Sequence, residues 1–340
     1  MHFYQSNPIL TTLGEQALAS TWSEFPDLSR EQIALTWLVY DRPIPVNTGG
    51  AITADELWKY PVRGFNYRGA ERIYPASIVK LFYLLAMHEW LQQGMAEPSA
   101  ELDRAMRDMI VDSSNDATSL VVDTLTGTTS GPELSPGPFT TWKAQRNLIN
   151  RYYQSLGWPE LDPINVNQKP WCDGPYGRER MFVGELRENR NMLTTDAVAR
   201  LMHSIVGGAA VSSDRSSQMI QLLQRDLKLA GTTPDPGEKN QVNSFLGAGL
   251  PPKSQIWSKA GWTSQVRHDA AYIELPDSPS ATLRERQPYL LIVFTEGTTN
   301  SQNRHILPFI SDLLATSMSQ VETFEWGDFT DGNYIINYPV

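Results

Sequence analysis

"IYPASIVKLFYLLAMHEW", residues 73–90, decides how the chain is read, because the patterns on its two sides differ. Upstream, "QIALTWLVYD" (32–41) is rich in β-forming residues and bounded by "DRPIP", and "GFNYRGAERIY" (64–74) alternates polar and aromatic residues around a central glycine. These two stretches predict paired strands. From Pro75 the period becomes helical: Ile78, Leu81, Leu85, Met87 and Leu91 are spaced for one apolar side, and Gly94 offers a stop. One serine, Ser77, and one lysine, Lys80, stand at the head of that helix.

Before this stretch, residues 10–25 have helical spacing. After it, "AELDRAMRDMIVD" predicts a helix ending at "SSND", whose Ser, Asn and Asp are N-cap types that open the next helix. Residues 128–140, "TTSGPELSPGPFT", read as a loop, and residues 141–157 as helix. Between Gly157 and Leu193 lies an irregular region dense in Pro, Gly, Asn and Asp, and so long a stretch inside a compact domain is usually functional. Helices resume at "TTDAVARLMHSIVGG" and "SSDRSSQMIQLLQRDL". Beyond the loop "GTTPDPGEKN", the segments "SQIWSKAGWT", "RHDAAYIEL" and "PYLLIVFTEG" predict three strands, followed by a helix near 300–319 and an acidic, aromatic tail.

Strands from both ends of the chain can complete one sheet. The expected fold is therefore α+β: an antiparallel, about five-stranded sheet flanked by helices, with an inserted all-helical lobe. Residues 1–74 with 250–320 are expected to form the sheet lobe, 75–249 the inserted lobe and 321–340 a C-terminal tail.

The balance of 28 Lys+Arg against 38 Asp+Glu gives a net charge of -10, which argues against nucleic acid or an anionic membrane surface as partner. The single cysteine, Cys172, excludes an intramolecular disulfide and a structural zinc cluster, and reads as a buried or incidental thiol. No apolar run reaches ~18 residues and the N-terminus has no signal pattern, so neither a membrane span nor an evident export signal is expected. His88-Glu89 begins like a zinc-protease helix motif, but Gln92 stands where the second histidine is needed; no metal and no cofactor are expected.

An S-x-x-K on a helix puts the two side chains about one turn apart on one face, where an amine can take the serine proton. At a first helical turn the serine also gains from the positive end of the helix dipole. A serine cap followed by a solvated lysine is the plain alternative. Ser113-Ser114-Asn115 offers a hydroxyl and an amide at a helix-opening turn, or simply an N-cap. "SKAGWT" (258–263) offers Lys259, a small residue and a glycine on a strand, or simply a strand-edge lysine. What distinguishes the set is its order: S-x-x-K on a helix, S-x-N before a helix, K-x-G on a strand.

That ordered set resembles the class A β-lactamase-like group of penicillin-recognising serine enzymes, whose signature is S-x-x-K, S-D-N and K-T-G. The resemblance spans roughly residues 30–318 and implies a β-lactamase/transpeptidase-like fold acting through an acyl-serine intermediate. It implies Ser77 as nucleophile, Lys80 as its proton partner, Ser113 as relay to the leaving nitrogen, and Asn115 as holder of the substrate side-chain amide. Lys259 would supply positive charge beside Ser113, and the backbone N–H groups of Ser77 and Trp262, after Ala260 and Gly261, would form the oxyanion hole.

Two departures stand out. Ala260 lacks the hydroxyl usual at its position, for which Arg267 or His268 on the next strand is a candidate replacement or simply a surface-strand charge, and Ser114 replaces Asp in the second motif. Deacylation in the family uses a loop glutamate with an asparagine four residues on, and "ELREN", Glu185 to Asn189, is the only fit in the irregular region, with Glu179 as rival and a solvated charged loop as the plain reading. Trp158, Trp171 and Trp262 are candidates for a substrate groove as well as for the core. The implied partner is a small-molecule β-lactam or peptidoglycan-like substrate, the expected state a monomer, and the family usually acts outside the cytoplasm. A D-alanyl peptidase, an esterase, a glutaminase-like amidase, a penicillin sensor that stays acylated and an inactive scaffold remain as alternatives.

Overall fold

The structure, a computed structural model, describes residues 3–40, 57–58, 62–229, 240–276 and 287–320. The "DRPIP" turn, nearly all of "GTTPDPGEKN" and the tail from residue 321 lie outside these. The sheet has seven strands in the order β1-β3-β2-β7-β6-β5-β4, two more than expected. They are β1 (Tyr4–Ser6), β2 (Ile33–Val39), β3 (Val62–Tyr67), β4 (Gln224–Arg225), β5 (Gln255–Trp262), β6 (Val266–Glu274) and β7 (Tyr289–Glu296). The two extra strands, β1 and β4, are edge strands of three and two residues, too short to show a period in sequence. β1 pairs parallel to β3, while the remaining pairings are antiparallel.

β2 pairs with β7 from Ile33↔Thr295 to Val39↔Tyr289, so early and late parts of the chain close one sheet. Along both strands alternate residues enter different cores. Leu35, Trp37, Val39, Tyr289, Leu291 and Val293 join one cluster with Leu10, Leu18, Leu307 and Leu314. Ala34, Leu38, Leu290, Ile292 and Phe294 join the other, with the helical middle of the chain. Burial of both faces is why these strands read as nearly continuous apolar runs.

The first face carries α1 (Pro8–Glu24), capped by Asn7, and the last long helix, Ile306–Gln320. Into the core on the second face enter α2 (Lys80–Gln92), α3 (Ala100–Val111), α4 (Asn115–Thr126), α6 (Leu148–Ser155), α8 (Thr195–Val206) and α9 (Ser213–Leu223) of the helical middle, whose α5 (Pro136–Arg146) and α7 (Gly177–Val183) add nothing to that cluster. The two closing helices are α10 (Thr298–Gln302) and α11 (Ile306–Gln320). Among the described residues no helix is long and apolar enough to cross a membrane.

Three sequence expectations are corrected. α2 is buried on all sides from Lys80 through His88 rather than on one, which makes it the central helix of the middle region. α5 begins at Pro136, inside the segment read as a loop, because proline is well suited to a first helical turn whose N–H has no partner. The strand read through Tyr74 stops at Tyr67, where Arg68 turns to φ 53°.

Burial also gives the fold an acid sensitivity. His88 is 2% exposed and neither ring nitrogen has a hydrogen-bond partner, and burial with Arg215 nearby pushes its pKa down to about 4. Burial likewise lowers His203 to about 3 and His268 to about 4. The unfolded chain, with ordinary histidines, takes up protons first, so this stability is complete above about pH 6.5 and is lost as pH falls toward 4. The urea midpoint is expected to drop over that interval. His88→Leu should make the drop shallower and add about 1 kcal/mol at neutral pH by removing an unpaired polar ring.

Candidate active site

Ser77 lies in a 3₁₀ turn, Ala76–Val79, that runs directly into α2, and no side chain caps either helix start. The serine is therefore not an N-cap. Ala76, just before it, has φ 47°, a left-handed conformation that costs a non-glycine residue about 1 kcal/mol.

Two contacts from the sheet hold this turn. A Cβ on Gly261 would lie 2.8 Å from Pro75 O and 3.2 Å from Ile78 N, so only a glycine lets β5 approach the backbone so closely. This contact also brings the backbone leading to Trp262 alongside the serine turn. His268, fully buried and stacked on Phe294 at 4.2 Å, accepts the Thr295 N–H on Nδ1 at 3.1 Å. Its Nε2 then carries the hydrogen and donates to Tyr74 O at 2.9 Å. With its pKa pushed down to about 4 by burial, the ring stays neutral and keeps that tautomer at neutral pH.

The second motif divides its labour. Ser114 caps α4, its hydroxyl accepting the Ala117 N–H at 3.2 Å, which leaves the Ser113 hydroxyl for other partners. Ser113 has φ 53°, and Lys259 Nζ donates to its Oγ at 2.9 Å. Lys80 Nζ lies 3.4 Å from the same oxygen and donates to Ser113 O at 2.6 Å and to Asn115 Oδ1 at 2.8 Å. Both lysines are fully buried. Lys259 also donates to Ala260 O at 2.7 Å and to Gln241 Oε1 at 2.8 Å. On the adjacent strand, opposite Ala260, burial raises the Asp269 carboxyl to about 7.

A cleft of about 450 Å³ opens over this group. Ser77 and Asn115 reach it from their helix starts, Trp262, Thr263 and Ser264 from the end of β5, and Pro170, Trp171 and Cys172 from the irregular region. Asn115 Nδ2 donates to Cys172 Sγ at 3.4 Å, so the thiol read as buried or incidental is an exposed part of the cleft. Trp262 is about half exposed, its Nε1 donating to Ser301 O at 3.0 Å and the Arg267 guanidinium lying 5.4 Å from its ring.

The irregular region is not structureless. Asn165, Asn167, Asn189 and Asn191 knit its two ends together, Asn167 Nδ2 donating to Asn165 Oδ1 at 2.8 Å and to Asn189 Oδ1 at 2.9 Å. Asn191 Oδ1 in turn accepts the N–H groups of Asn167 and Gln168, each at 3.0 Å. A buried charge cluster ties the region to the helices. Arg146 of α5 grips Glu179 with two bonds of 2.7 and 3.1 Å, and Lys169 donates to Asp123 of α4 at 2.8 Å and to Ser130 at 2.9 Å. Pro170, Trp171 and Cys172 follow Lys169 directly, so this cluster positions that side of the cleft.

Other candidate residues lie elsewhere. Glu185 is exposed in the turn after α7 and does not line the cleft, while Glu179 is occupied by Arg146. Ala260 is buried, its N–H donating to Gln241 Oε1 at 3.1 Å. Arg267 is 4% exposed and donates to Ser301 O at 2.9 Å and Ser244 O at 3.4 Å, behind Trp262 rather than into the cleft. Trp158 packs on Trp58 at 5.1 Å and does not line the cleft. Gln241, Cys172 and Ser264 belong to no motif, and only the Pro/Gly-dense setting of Cys172 hinted at a loop that builds a site.

A sheet closed by early and late parts of the chain and covered by a helical middle is the fold shared with PBP-A and the β-lactamases. The model of the β-lactamase enzyme family matches residues 97–317, well over half of the chain, and the protein belongs to that family. The match includes Ser113, Asn115 and Lys259 and begins after Ser77 and Lys80. No curated protein matches. Among solved structures, a PBP-A variant in acyl-enzyme complex with penicillin G is 18% identical, with TM-score 0.59, over 91% of this chain and 96% of that one. A β-lactamase from Xanthomonas campestris is 15% identical, with TM-score 0.56, over 89% and 98%. A class A β-lactamase representative from Bacteroides cellulosilyticus is 14% identical, with TM-score 0.57, over 90% and 98%. At such identities these likenesses concern the fold alone. Family membership supports hydrolase activity.

The buried charge cluster yields a stability test. Glu179→Gln leaves Arg146, itself fully buried, with Asp123, 3.5 Å away, in place of its bidentate carboxylate, and weakening such a buried pair should cost about 2–4 kcal/mol. Urea unfolding should show a loss of that size, where an equivalent change at exposed Glu185 should cost under about 0.5 kcal/mol.

Proposed function

We propose that the protein is a serine hydrolase that opens a β-lactam, or a related amide, through an ester on Ser77. The observation that carries this reading is the convergence of Lys259, at 2.9 Å, and Lys80, at 3.4 Å, on Ser113 Oγ beside the cleft that holds Ser77. On this reading residues 1–74 with 250–320 act as the sheet lobe, and 75–249 as the inserted lobe that carries Ser77, not wholly helical because its β4 adds an edge strand to the sheet.

Ser77 Oγ attacks the carbonyl carbon while Lys80, in its amine form, takes the hydroxyl proton. The backbone N–H groups of Ser77 and Trp262 receive the developing oxyanion, each such donor contributing about 3 kcal/mol. Collapse breaks the carbon–nitrogen bond. Ser113 gives its proton to the leaving nitrogen and is reprotonated from Lys80, so the lysine returns to its starting form. Lys259 holds the Ser113 oxygen in place and steadies negative charge at the step's midpoint, and Asn115 orients the substrate's side-chain amide.

Release of the acyl group needs a water and a base to activate it. Among the described residues no carboxylate lines the cleft, and Pro170, Trp171 and Cys172 stand on one side of it. This favours an ester that forms readily and hydrolyses slowly, closer to a penicillin-binding trap than to a fast β-lactamase. Aromatic faces from Tyr74, Trp171 and Trp262 favour substrates with a flat apolar side group.

Intact-mass spectrometry with benzylpenicillin tests this directly. Because the β-lactam amide is cyclic, the leaving nitrogen stays attached, and the expected adduct has the whole mass of the drug. It should accumulate to one per chain, persist for minutes or longer and be absent from Ser77→Ala. A folded protein that gains no mass would defeat the reading, and an adduct that disappears within seconds would defeat slow release.

A further inference from the structure

We propose that Gln241 is a positioning residue that sets the contact between Lys259 and Ser113; this rests on the acyl-serine reading above and assigns a new part to it. Gln241 Oε1 accepts from Lys259 Nζ at 2.8 Å and from the Ala260 N–H at 3.1 Å. Its Nε2 donates to Ile110 O at 3.0 Å and to Val111 O at 2.8 Å. Ile110 and Val111 end α3, and Ser113 follows two residues later. One planar amide therefore spans the strand that carries the lysine and the helix end that leads to the hydroxyl. Across that span Lys259 Nζ and Ser113 Oγ lie 2.9 Å apart.

The chemistry of the position selects an amide. The last carbonyls of a helix have no donors within the helix, and when buried they must find them elsewhere. Arg225 supplies part of this, donating to Ile110 O at 3.2 Å and to Ser258 O at 2.8 Å, and so forms a second tie between the same two elements. Gln241 joins the helix end to Lys259 Nζ itself. A carboxylate there would accept from Lys259 but give nothing to the two carbonyls, and an aliphatic side chain would do neither. At 7% exposure the amide holds these bonds largely out of water, where hydrogen bonds direct geometry most firmly. Without it, Lys259 keeps its charge and its bond to Ala260 O but loses the acceptor that aims it. The loss should therefore fall on the chemical step rather than on binding.

The test is a double-mutant cycle on the whole chain, with the rate of adduct formation from benzylpenicillin followed by intact mass over a range of concentrations. Gln241→Met should lower the limiting acylation rate at least about tenfold and leave the half-saturating concentration within about twofold. In a Lys259→Ala background, followed for hours, the same change should alter the rate less than about twofold, because its effect passes through the lysine. Thermal melts report whether each variant is folded. If Gln241→Met does not fold, Gln241→Asn, one methylene too short to reach both partners, carries the same expectation with a smaller loss. Wild-type protein that takes no adduct overturns the acyl-serine reading and this inference with it. Wild-type protein that is acylated overturns this inference alone if Gln241→Met reacts at its rate, if the change raises only the half-saturating concentration, or if it slows both backgrounds equally.

Discussion

Two lysines with no exposed surface, Lys80 from the central helix and Lys259 from a sheet strand, point their Nζ atoms at one serine hydroxyl. Burying two lysine amino groups so close together is unfavourable unless each finds acceptors, and the surrounding architecture supplies them. Lys80 has Ser113 O, in the turn after α3, and Asn115 Oδ1, at the start of α4, and Lys259 has Ala260 O and Gln241 Oε1. The strain at Ser113, the cap moved onto Ser114, and the tight approach of Gly261 to the Ser77 turn all follow from bringing these elements to one point.

The rest of the fold keeps those elements from drifting. Both faces of the sheet are covered, so the strand carrying Lys259 is packed on each side, and α2 is buried all around, so Ser77 and Lys80 stand on a rigid element. His268 adds a neutral clamp on the carbonyl that precedes the serine turn. By contrast, one side of the cleft comes from a segment held by amide and charge networks rather than by a sheet or a long helix. The division suits a site whose reacting groups are fixed while the surface facing substrate is adjustable.

Much of this was legible in the chain because it is local. The change of period at Pro75, the serine before a helix and the lysine before a glycine on a strand each depend on neighbours within a few residues. The α+β class and the closing of the sheet by both ends followed from the order of those elements. What stayed hidden depends on contacts distant in sequence: the Gln241 bridge spans 130 residues to Val111, and Cys172 meets Asn115 across 57. The edge strands β1 and β4 were too short to show alternation, and Pro136 was read as a loop residue although it opens a helix. Glu185 fitted a spacing rule, yet spacing alone does not carry a side chain into a cleft; the turn it occupies faces solvent.

The central claim is that Ser77 accepts an acyl group whose oxyanion side is held by two backbone N–H groups, beneath a hydroxyl governed by two lysines. A crystal structure after soaking with a penicillin tests it most directly. The account predicts continuous density from Ser77 Oγ to the opened ring, the ester carbonyl oxygen between the N–H groups of Ser77 and Trp262, and Ser113 Oγ facing the freed nitrogen. Intact drug in the cleft, or a covalent bond to any other residue, would contradict it.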